Sequence, residues 1–357
     1  MKKALILIFT IMVTASLLFL GFGCKKEAAP AEEVTGEEAA PAEEVTEEVT
    51  EEVAEKTPVF GNIPVALADE WNGYSVEAFK YAANLKGVEV VVMDAEWDEE
   101  KQLRNLEDMI TKGVDEIGVF VYTPEAAQDF ILRANEAGIP ISFENTKLIG
   151  TDIEGDFVFN VACEYYNIGY AAMKYISENW PGSKVFFCRG LPGMGIVEEY
   201  QKGVDDALAD FGNIELVVSR DTDWGTEQSM NVTQDVIQAG IEFDVVFANS
   251  EEMAVGVYSA LQDAGIEEEV KIIATGAGPT GVDMIKNGEL DASIASPVSL
   301  QGLWLFKAMW LHYNGIEPPE KFIPLPEFPI DKNNLDENIS WIVSDFHIDY
   351  IGGLDEW

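Results

Sequence analysis

Hydrophobic positions change their spacing repeatedly along the chain after Pro58. Short apolar runs alternate with longer segments in which apolar residues recur every three or four positions. The first spacing is typical of strands and the second of amphipathic helices. The runs predicted as strands are 64–68, 88–93, 116–121, 139–143, 157–161, 184–188, 214–218, 243–248, 270–275 and 291–295. The segments predicted as helices are 74–86, 98–112, 124–137, 164–179, 195–211, 226–240, 252–264, 279–288 and 299–314.

This alternation predicts an α/β fold with parallel sheets. Strands that are apolar throughout are typical of sheets covered by helices on both faces. The strands are too many for one small sheet. The strands at 116–121 and 244–248 each lead into a helix that ends in Ala-Gly-Ile, so the two halves of the chain resemble each other. We therefore predict two similar α/β lobes, with a closed eight-stranded barrel as the alternative.

The first 23 residues have the pattern of a secretory signal. A positive start is followed by the apolar run 4–20, then by Gly23, and then by Cys24. This order predicts a signal peptide over residues 1–23. An uncleaved transmembrane anchor is the alternative, because a run of this length can span a bilayer. The cysteine resembles the lipobox of bacterial lipoproteins, which implies that Cys24 is acylated and becomes the mature N-terminus.

Residues 24–57 are predicted to form an acidic, disordered tether. The segment repeats Glu-Glu-Val-Thr units and contains Pro30 and Pro41. It has little apolar surface to bury, and closely spaced glutamates repel one another. A charged helix is the alternative, but β-branched residues and two prolines disfavour it. The tether would hold a folded domain away from the membrane.

Composition narrows the possible partners. The net charge of −43 argues against binding to nucleic acid or to anionic lipid. Residues 58–357 provide about 300 residues, enough for one large or two medium domains. Cys163 and Cys188 lie in apolar contexts and are expected to be buried free thiols, with a disulfide as the alternative. His312 and His347 lie far apart without cysteine partners, so we expect no metal site and no cofactor.

Five segments carry a resemblance to a known family by their order and spacing. They are Gly87–Asp94 followed by Gln102, Gly113–Asp115, Ala137–Pro140, Phe247–Ala254 and Asn287–Ala295. Together they resemble the periplasmic sugar-binding proteins of ABC transporters, of the ribose-binding type, over about 60–330. The resemblance implies a type I periplasmic binding protein fold. In that fold two Rossmann-like lobes with parallel sheets are joined by a three-crossing hinge, and a ligand is held between them.

The resemblance also implies how the chain divides into lobes. We expect crossings near 161–163, 296–298 and 323–326. The N-terminal lobe would comprise 58–162 and 297–323. The C-terminal lobe would comprise 163–296 and 324–357, including an extension over 332–357 that lies beyond the matching region.

Ligands of open parallel sheets bind beyond the carboxyl ends of the strands. The candidate ligand-binding residues in those loops are Trp71, Asn72, Tyr74, Glu144, Asn145, Glu198, Trp224, Ser250, Glu251, Gly276 and Ser296. Trp71 and Trp224 align with aromatic stacking positions of the family, and a flat ring suits the apolar face of a pyranose. Core packing is the alternative for both tryptophans. Tyr74 could equally be a core residue at the start of a helix.

Several positions depart from the family pattern. They are Glu198 in place of a ligand-binding arginine, Ser250 in place of Asn or Asp, Gly276 in place of Asp, Ser296 in place of Gln, and Glu144-Asn145 in place of Asp-Arg. These departures imply a larger sugar, a nucleoside or a cationic ligand rather than plain ribose. The alternative for Glu198 and Glu251 is a helix N-terminal acid favoured by the helix dipole.

The expected function is that of a substrate-binding lipoprotein at the cell envelope. As a monomer tethered to the membrane by its lipid, it would deliver a sugar-like molecule to an ABC permease. A ligand sensor that docks with a chemoreceptor or histidine kinase is the alternative. The sequence shows neither the arrangement of a Ser-His-Asp catalytic triad nor a phosphate-binding glycine loop, so we do not expect an enzyme. Sugar-responsive repressors share the fold but carry a basic DNA-binding headpiece, whereas this chain has a signal and an acidic stalk.

Overall fold

The computed structural model describes residues 56–148 and 151–357. The predicted signal peptide, Cys24 and nearly all of the predicted tether lie outside the described residues. Within the described ranges, none of the helices combines the length and the apolar character needed to cross a bilayer.

Strands and helices alternate along almost the whole of the described chain. The strands are β1 (Val59–Ile63), β2 (Glu89–Val92), β3 (Glu116–Val119), β4 (Ile141–Glu144), β5 (Asn160–Ala162), β6 (Lys184–Arg189), β7 (Glu215–Asp221), β8 (Val245–Ala248), β9 (Lys271–Gly276), β10 (Ala292–Ala295), β11 (Phe322–Pro324) and β12 (Phe328–Asp331). The helices are α1 (Glu70–Lys86), α2 (Glu99–Lys112), α3 (Pro124–Ala137), α4 (Tyr165–Asn179), α5 (Ile196–Phe211), α6 (Thr226–Gln238), α7 (Glu251–Ala264), α8 (Pro279–Asn287), α9 (Val298–Tyr313) and α10 (Asp345–Tyr350).

The strands form two sheets of six, and each sheet is the centre of one lobe. The N-terminal sheet has the order β11-β5-β4-β3-β1-β2, and all of its pairs are parallel. The C-terminal sheet has the order β12-β10-β9-β8-β6-β7, and within it β12 runs antiparallel to β10. Apart from that edge strand, the predicted two-lobed fold with parallel sheets is confirmed.

Local sequence signals fix the ends of the helices. Asp69 begins α1, and its side chain accepts a hydrogen bond from the backbone N–H of Asn72 at 3.0 Å. Thr123 does the same for α3, with Pro124 at the first helical position. Gly87 follows α1 with φ of 67°, a left-handed conformation that favours glycine. These caps are the reason that helix bounds could be predicted within a few residues.

The first strand was predicted wrongly. The apolar run at 64–68 indicated a strand, whereas β1 lies just before it. Gly61 and Asn62 interrupt the apolar pattern of β1 and hide its strand character. Gly61 is needed there because a Cβ would lie 2.4 Å from the sulfur of Met109. Pro64 cannot donate a ladder hydrogen bond, so the strand ends before it. The sequence analysis also missed β11, β12 and α10.

The chain passes between the lobes three times, at 163–164, 296–297 and 325–327, where strands of one sheet lead into elements of the other lobe. A further connection follows β12. Asp345 Oδ1 accepts a hydrogen bond from Tyr81 of α1 at 2.5 Å, and Trp357 stacks on Trp304 of α9 with ring centres 6.3 Å apart. We assigned 324–357 to the C-terminal lobe. The structure corrects this for 345–357, which pack on the N-terminal lobe because α1 and α9 offer partners there.

Helices α4 and α5 approach each other closely through two glycines. A Cβ on Gly169 would lie 2.4 Å from the carbonyl oxygen of Tyr200, and one on Gly203 would lie 2.0 Å from that of Tyr166. Backbone atoms cannot move aside as a flexible side chain can. The C-terminal lobe therefore depends on the absence of side chains at these positions.

The glycine contact yields a stability prediction. Gly203→Ala should lower the free energy of unfolding by about 1–3 kcal/mol, because the added methyl group forces α4 and α5 apart. Gly73→Ala is the matched control. Its Cβ would meet only the carbonyl of Leu67 at 3.8 Å, so the better helix propensity of alanine should stabilise α1 by about 0.5–1 kcal/mol. Urea denaturation measures both, and equal effects of the two substitutions would contradict the packing argument.

Candidate ligand-binding cleft

A cleft lies between the two lobes, at the carboxyl ends of strands from both sheets. Its empty space is about 660 Å³, part of it open to solvent. The N-terminal lobe contributes Trp71 from α1 and Trp97 from the loop before α2. The C-terminal lobe contributes Trp224 from the loop after β7 and Asn249 from the end of β8. A small molecule in this cleft would contact both lobes.

Aromatic rings form much of the wall. Trp224 lies flat against the backbone at Gly190, where a Cβ would be 2.3 Å from the ring. Tyr165 and Tyr200 pack together with ring centres 5.1 Å apart. Trp71 enters from the first turn of α1, in the opposite lobe. Ring faces from both sides give the cleft the flat apolar surfaces that a sugar ring requires.

Strained backbone is concentrated at the cleft. Trp97, Asn145 and Trp224 have φ values of 60°, 64° and 72°, in the left-handed region that residues other than glycine rarely adopt. Asparagine tolerates this conformation, whereas a tryptophan pays a conformational penalty on the order of 1–3 kcal/mol. All three line the cleft. Such strain persists where the surrounding structure needs a side chain aimed in a particular direction.

Three buried polar atoms at the cleft lack hydrogen-bond partners. They are Trp71 Nε1 from the N-terminal lobe, Asn249 Nδ2 from the C-terminal lobe, and Ser296 Oγ from a crossing between them. The carbonyl oxygen of Asn249 is already engaged, because Oδ1 accepts from the backbone N–H of Gly190 at 3.0 Å. Buried polar groups in folded proteins are nearly always paired. All three belong to residues that line the cleft, so a ligand whose hydroxyl groups reach them there would supply the missing partners.

Carboxyl groups also face the cleft, and burial alters their protonation. Desolvation raises the pKa of Asp69 above its ordinary value. Burial, followed by repulsion from Asp69 in the other lobe, raises the pKa of Glu252 to about 7. Burial raises the pKa of Glu251 to about 8, although its Oε1 accepts hydrogen bonds from Ser293 Oγ at 2.5 Å and from the backbone N–H of Ala277 at 2.6 Å. Among the described residues, the lining contains no lysine, arginine or histidine.

The structure brings most of the predicted site residues to the cleft. Those that line it are Trp71, Asn72, Asn145, Trp224, Ser250, Glu251 and Ser296. Besides Glu251, several of them already serve local structure, and Asn145 Oδ1 accepts from Tyr165 at 2.5 Å. Asn72 Nδ2 donates to Asp69 at 2.9 Å, and Ser250 Oγ accepts from the backbone N–H of Met253 at 3.2 Å. That these residues contact a ligand stays a prediction.

Glu144 and Glu198 do not line the cleft. Glu144 lies buried inside the N-terminal lobe, where it accepts hydrogen bonds from Ser75 of α1 at 2.5 Å and Gln301 of α9 at 3.0 Å. Glu198 is exposed, and its Oε1 accepts from the backbone N–H of Gly193 at 2.9 Å. Both acids stabilise local structure. These two residues therefore do not support a cationic ligand.

Tyr74 and Gly276 also lie outside the lining. Tyr74 is half-buried and packs edge-on against Trp341 with ring centres 5.8 Å apart. Gly276 has φ of 122°, and a Cβ there would lie 2.4 Å from Glu251 Oε2. The glycine therefore makes room for the buried carboxyl group rather than for a ligand.

Sequence reasoning missed several residues of the cleft. They are Asp69, Trp97, Tyr165, Tyr200, Asn249, Thr275 and Trp341. Asn249 directly precedes Ser250 in a segment that carried the family resemblance, so its position could have been inferred. Trp341 lies beyond that resemblance, and no local pattern indicated it.

A family model described as a periplasmic binding protein domain matches residues 60–317. The chain belongs to this family. A putative rhizopine-binding protein of Rhizobium meliloti is 30% identical over 261 residues, covering 72% of this chain and 84% of the relative. The ribose import binding protein of Salmonella typhimurium is 28% identical, covering 60% of this chain and 70% of the relative. These relatives are binding proteins of the transporter type and not enzymes.

Solved structures support the same assignment. An ABC transporter solute-binding protein from Bacillus halodurans with bound myo-inositol has a TM-score of 0.73 and 25% identity. The alignment covers 79% of this chain and 96% of that structure. A periplasmic solute-binding protein from Actinobacillus succinogenes with bound D-allose has a TM-score of 0.72 at 24% identity, covering 79% of this chain and 100% of that structure. The fold is therefore that of a type I periplasmic binding protein.

The buried carboxyl of Glu251 predicts a dependence of stability on pH. Its pKa is about 8 when folded and about 4.3 in an unfolded chain. Between these values the folded protein holds a proton that the unfolded chain has lost. The free energy of unfolding from this group therefore falls as pH rises from about 4.3 to about 8.

Glu251→Gln should reduce that fall, as measured by urea denaturation at a series of pH values. The matched control is Glu198→Gln, which also changes a glutamate in the first turn of a helix, here the exposed Glu198 of α5. The control should keep the pH dependence of the unaltered protein. An unchanged slope in Glu251→Gln would show that the residue is not protonated by burial.

Proposed function

We propose that this protein binds a sugar or a related cyclic polyol between its lobes and delivers it unchanged to an ABC permease. The observation that carries the proposal is the convergence of Trp71 Nε1, Asn249 Nδ2 and Ser296 Oγ, buried and without partners, on one cleft. A compact molecule with several hydroxyl groups can pair with all three while its ring lies between aromatic faces. The relatives named for ribose and the structure with bound myo-inositol support a ligand of this class.

Closure of the lobes is part of the proposed mechanism. Thr280 of α8 donates a hydrogen bond to Glu70 of α1 at 3.1 Å, so the two lobes are in direct contact beside the cleft. A ligand gains full burial only when groups of both lobes surround it. It therefore binds the closed arrangement more tightly and shifts the population toward that form. The permease would recognise this form.

A ligand that also carries an amino group is the second candidate. Asp69 and Glu252 approach each other across the cleft, and no basic side chain among the described lining residues neutralises them. An ammonium group would form charge-assisted hydrogen bonds with both carboxylates. A neutral polyol would instead find at least one of them protonated and able to donate. The two candidates differ in how binding depends on pH.

A thermal-shift screen tests the function and separates these candidates. The panel comprises D-ribose, D-xylose, D-allose and myo-inositol, with D-glucose and D-glucosamine as a pair that differs in one amino group. Stabilisation by a neutral compound supports the polyol, because a ligand at a hundredfold excess over Kd adds about 2.7 kcal/mol. A preference for glucosamine that weakens at low pH supports the amine. Tight binding of a sugar phosphate would contradict both, since the lining residues that the structure describes include acids and no lysine, arginine or histidine.

Trp224 should contribute a stacking face to the bound ring. Trp224→Ala should weaken, by about tenfold or more, the binding of whichever panel compound stabilises the protein. The reason is that burial of the ring is worth about 1.5 kcal/mol or more. Trp180→Ala is the matched control in the same lobe, since Trp180 packs on Tyr175 away from the cleft with ring centres 5.5 Å apart. Isothermal titration measures both. Equal affinity in Trp224→Ala and the unaltered protein would assign this tryptophan to packing alone.

We further propose that Cys24 carries a lipid that tethers the protein to the cell envelope. The apolar run before it and Gly23 support a lipoprotein signal. Cells given labelled palmitate should incorporate it into the unaltered protein and not into Cys24→Ala. A Cys163→Ala control should keep the label, since Cys163 is buried in the folded protein. Labelling that persists in Cys24→Ala would place the anchor elsewhere.

A further inference from the structure

The C-terminal segment, residues 332–357, starts after the edge strand of one lobe and ends on the other. The segment contains Trp341, which is 4% exposed and lines the cleft. The segment lies beyond the region matched by the family model, which ends at 317. Because it runs from one lobe to the other, it is a connection additional to the three that form the hinge.

Trp341 contacts both lobes at once. Its Nε1 donates to the carbonyl oxygen of Gly276, in the C-terminal lobe, at 3.1 Å. Its ring packs edge-on against Trp71 and Tyr74 of α1, in the N-terminal lobe, with ring centres 5.2 and 5.8 Å apart. Gly276 and Gly278 provide the space for the ring, because a Cβ on either would lie within 2.9 Å of it. The indole thus bridges the two lobes, in addition to the hydrogen bond between Thr280 and Glu70.

The segment on either side of Trp341 is firmly held. Ser299, at the start of α9, donates to the carbonyl oxygen of Ser340 at 2.8 Å, and His347 Nε2 contacts the same oxygen at 2.8 Å. Further along, Lys307 Nζ donates to the carbonyl oxygen of Ile351 at 2.7 Å. These bonds fix the segment to α9 of the N-terminal lobe. Trp341 therefore extends from a segment held on α9 toward the loop 276–278 of the other lobe, where Asn338 Nδ2 also donates to the carbonyl oxygen of Ala277 at 2.9 Å.

We propose that Trp341 fastens the lobes in the closed arrangement and thereby raises ligand affinity. The loop 276–278 and α1 belong to different lobes, so opening of the cleft would separate the two surfaces between which the indole is held. Contacts made in only one of two conformations shift the equilibrium toward it, even before a ligand binds. A ligand then meets a protein that has already populated the competent state.

The test measures the separation of the lobes in the ligand-free protein. Glu125 and Glu227 are exposed residues in the first turns of α3 and α6, in different lobes. Spin labels on Glu125→Cys and Glu227→Cys report the distance across the cleft by pulsed electron resonance. A Cys24→Ala background leaves these as the accessible thiols, because Cys163 and Cys188 are buried.

Trp341→Ala should give a longer and broader distance distribution than the unaltered protein. Trp341→Phe keeps a ring but loses the bond to Gly276, and should lie between the two. Ile342→Ala is the matched control, because Ile342 is the next residue and is 61% exposed. It should leave the distribution unchanged. A distance distribution in Trp341→Ala identical to that of the unaltered protein overturns the proposal. If Trp341→Ala does not fold, an unchanged distance distribution in Trp341→Phe overturns it instead.

The distance measurement needs no ligand, so its result tests the role of Trp341 independently of the proposed sugar-binding function. A second measurement links it to affinity. Titration with myo-inositol and D-ribose should show weaker binding in Trp341→Ala by the factor by which the closed population falls. Unchanged affinity for a compound that the unaltered protein binds would separate Trp341 from ligand binding and overturn that part of the proposal.

Discussion

Buried polar atoms without a hydrogen-bond partner among the described residues are the constraint on which the proposed ligand binding depends. Trp71 Nε1, Asn249 Nδ2 and Ser296 Oγ reach the cleft from one lobe, the other lobe and a crossing between them. Leaving such groups unpaired costs about 1–3 kcal/mol each. The rest of the fold positions these atoms, with parallel strands ending at the cleft and strained loops directing tryptophans into it. A polyol that pairs with all three recovers this free energy only when the lobes meet.

The fold could be predicted because its signals are local. The alternation of strand and helix spacing, the helix caps and the glycines that end helices each depend on a few neighbouring residues. The predicted and observed bounds of nearly all the helices therefore agree within a few positions. The first strand could not be predicted because Gly61, which lies close to Met109, and Asn62 break the apolar pattern. β11, β12 and α10 are short, and their places are set by distant partners in sheet edges and on α9.

The cleft could be predicted only in part, for a related reason. The order of strands predicts which loops meet, so Trp71, Trp224 and Ser296 were found. It does not predict the direction of each side chain within a loop. Glu144 is buried in its lobe and accepts hydrogen bonds from α1 and α9. Glu198 accepts a hydrogen bond from the backbone of the loop that precedes α5. The acidic groups of the cleft are instead Asp69, Glu251 and Glu252, and burial favours their uncharged forms by raising their pKa values.

The most direct test of the account is a crystal structure with the panel compound that binds. We predict hydroxyl groups of the compound within hydrogen-bond distance of Trp71 Nε1, Asn249 Nδ2 and Ser296 Oγ, with its ring against Trp224. Asp69 and Glu252 should lie close enough to contact it from opposite lobes. A compound bound outside the cleft, or one bound inside that leaves these three atoms without partners, would contradict the account.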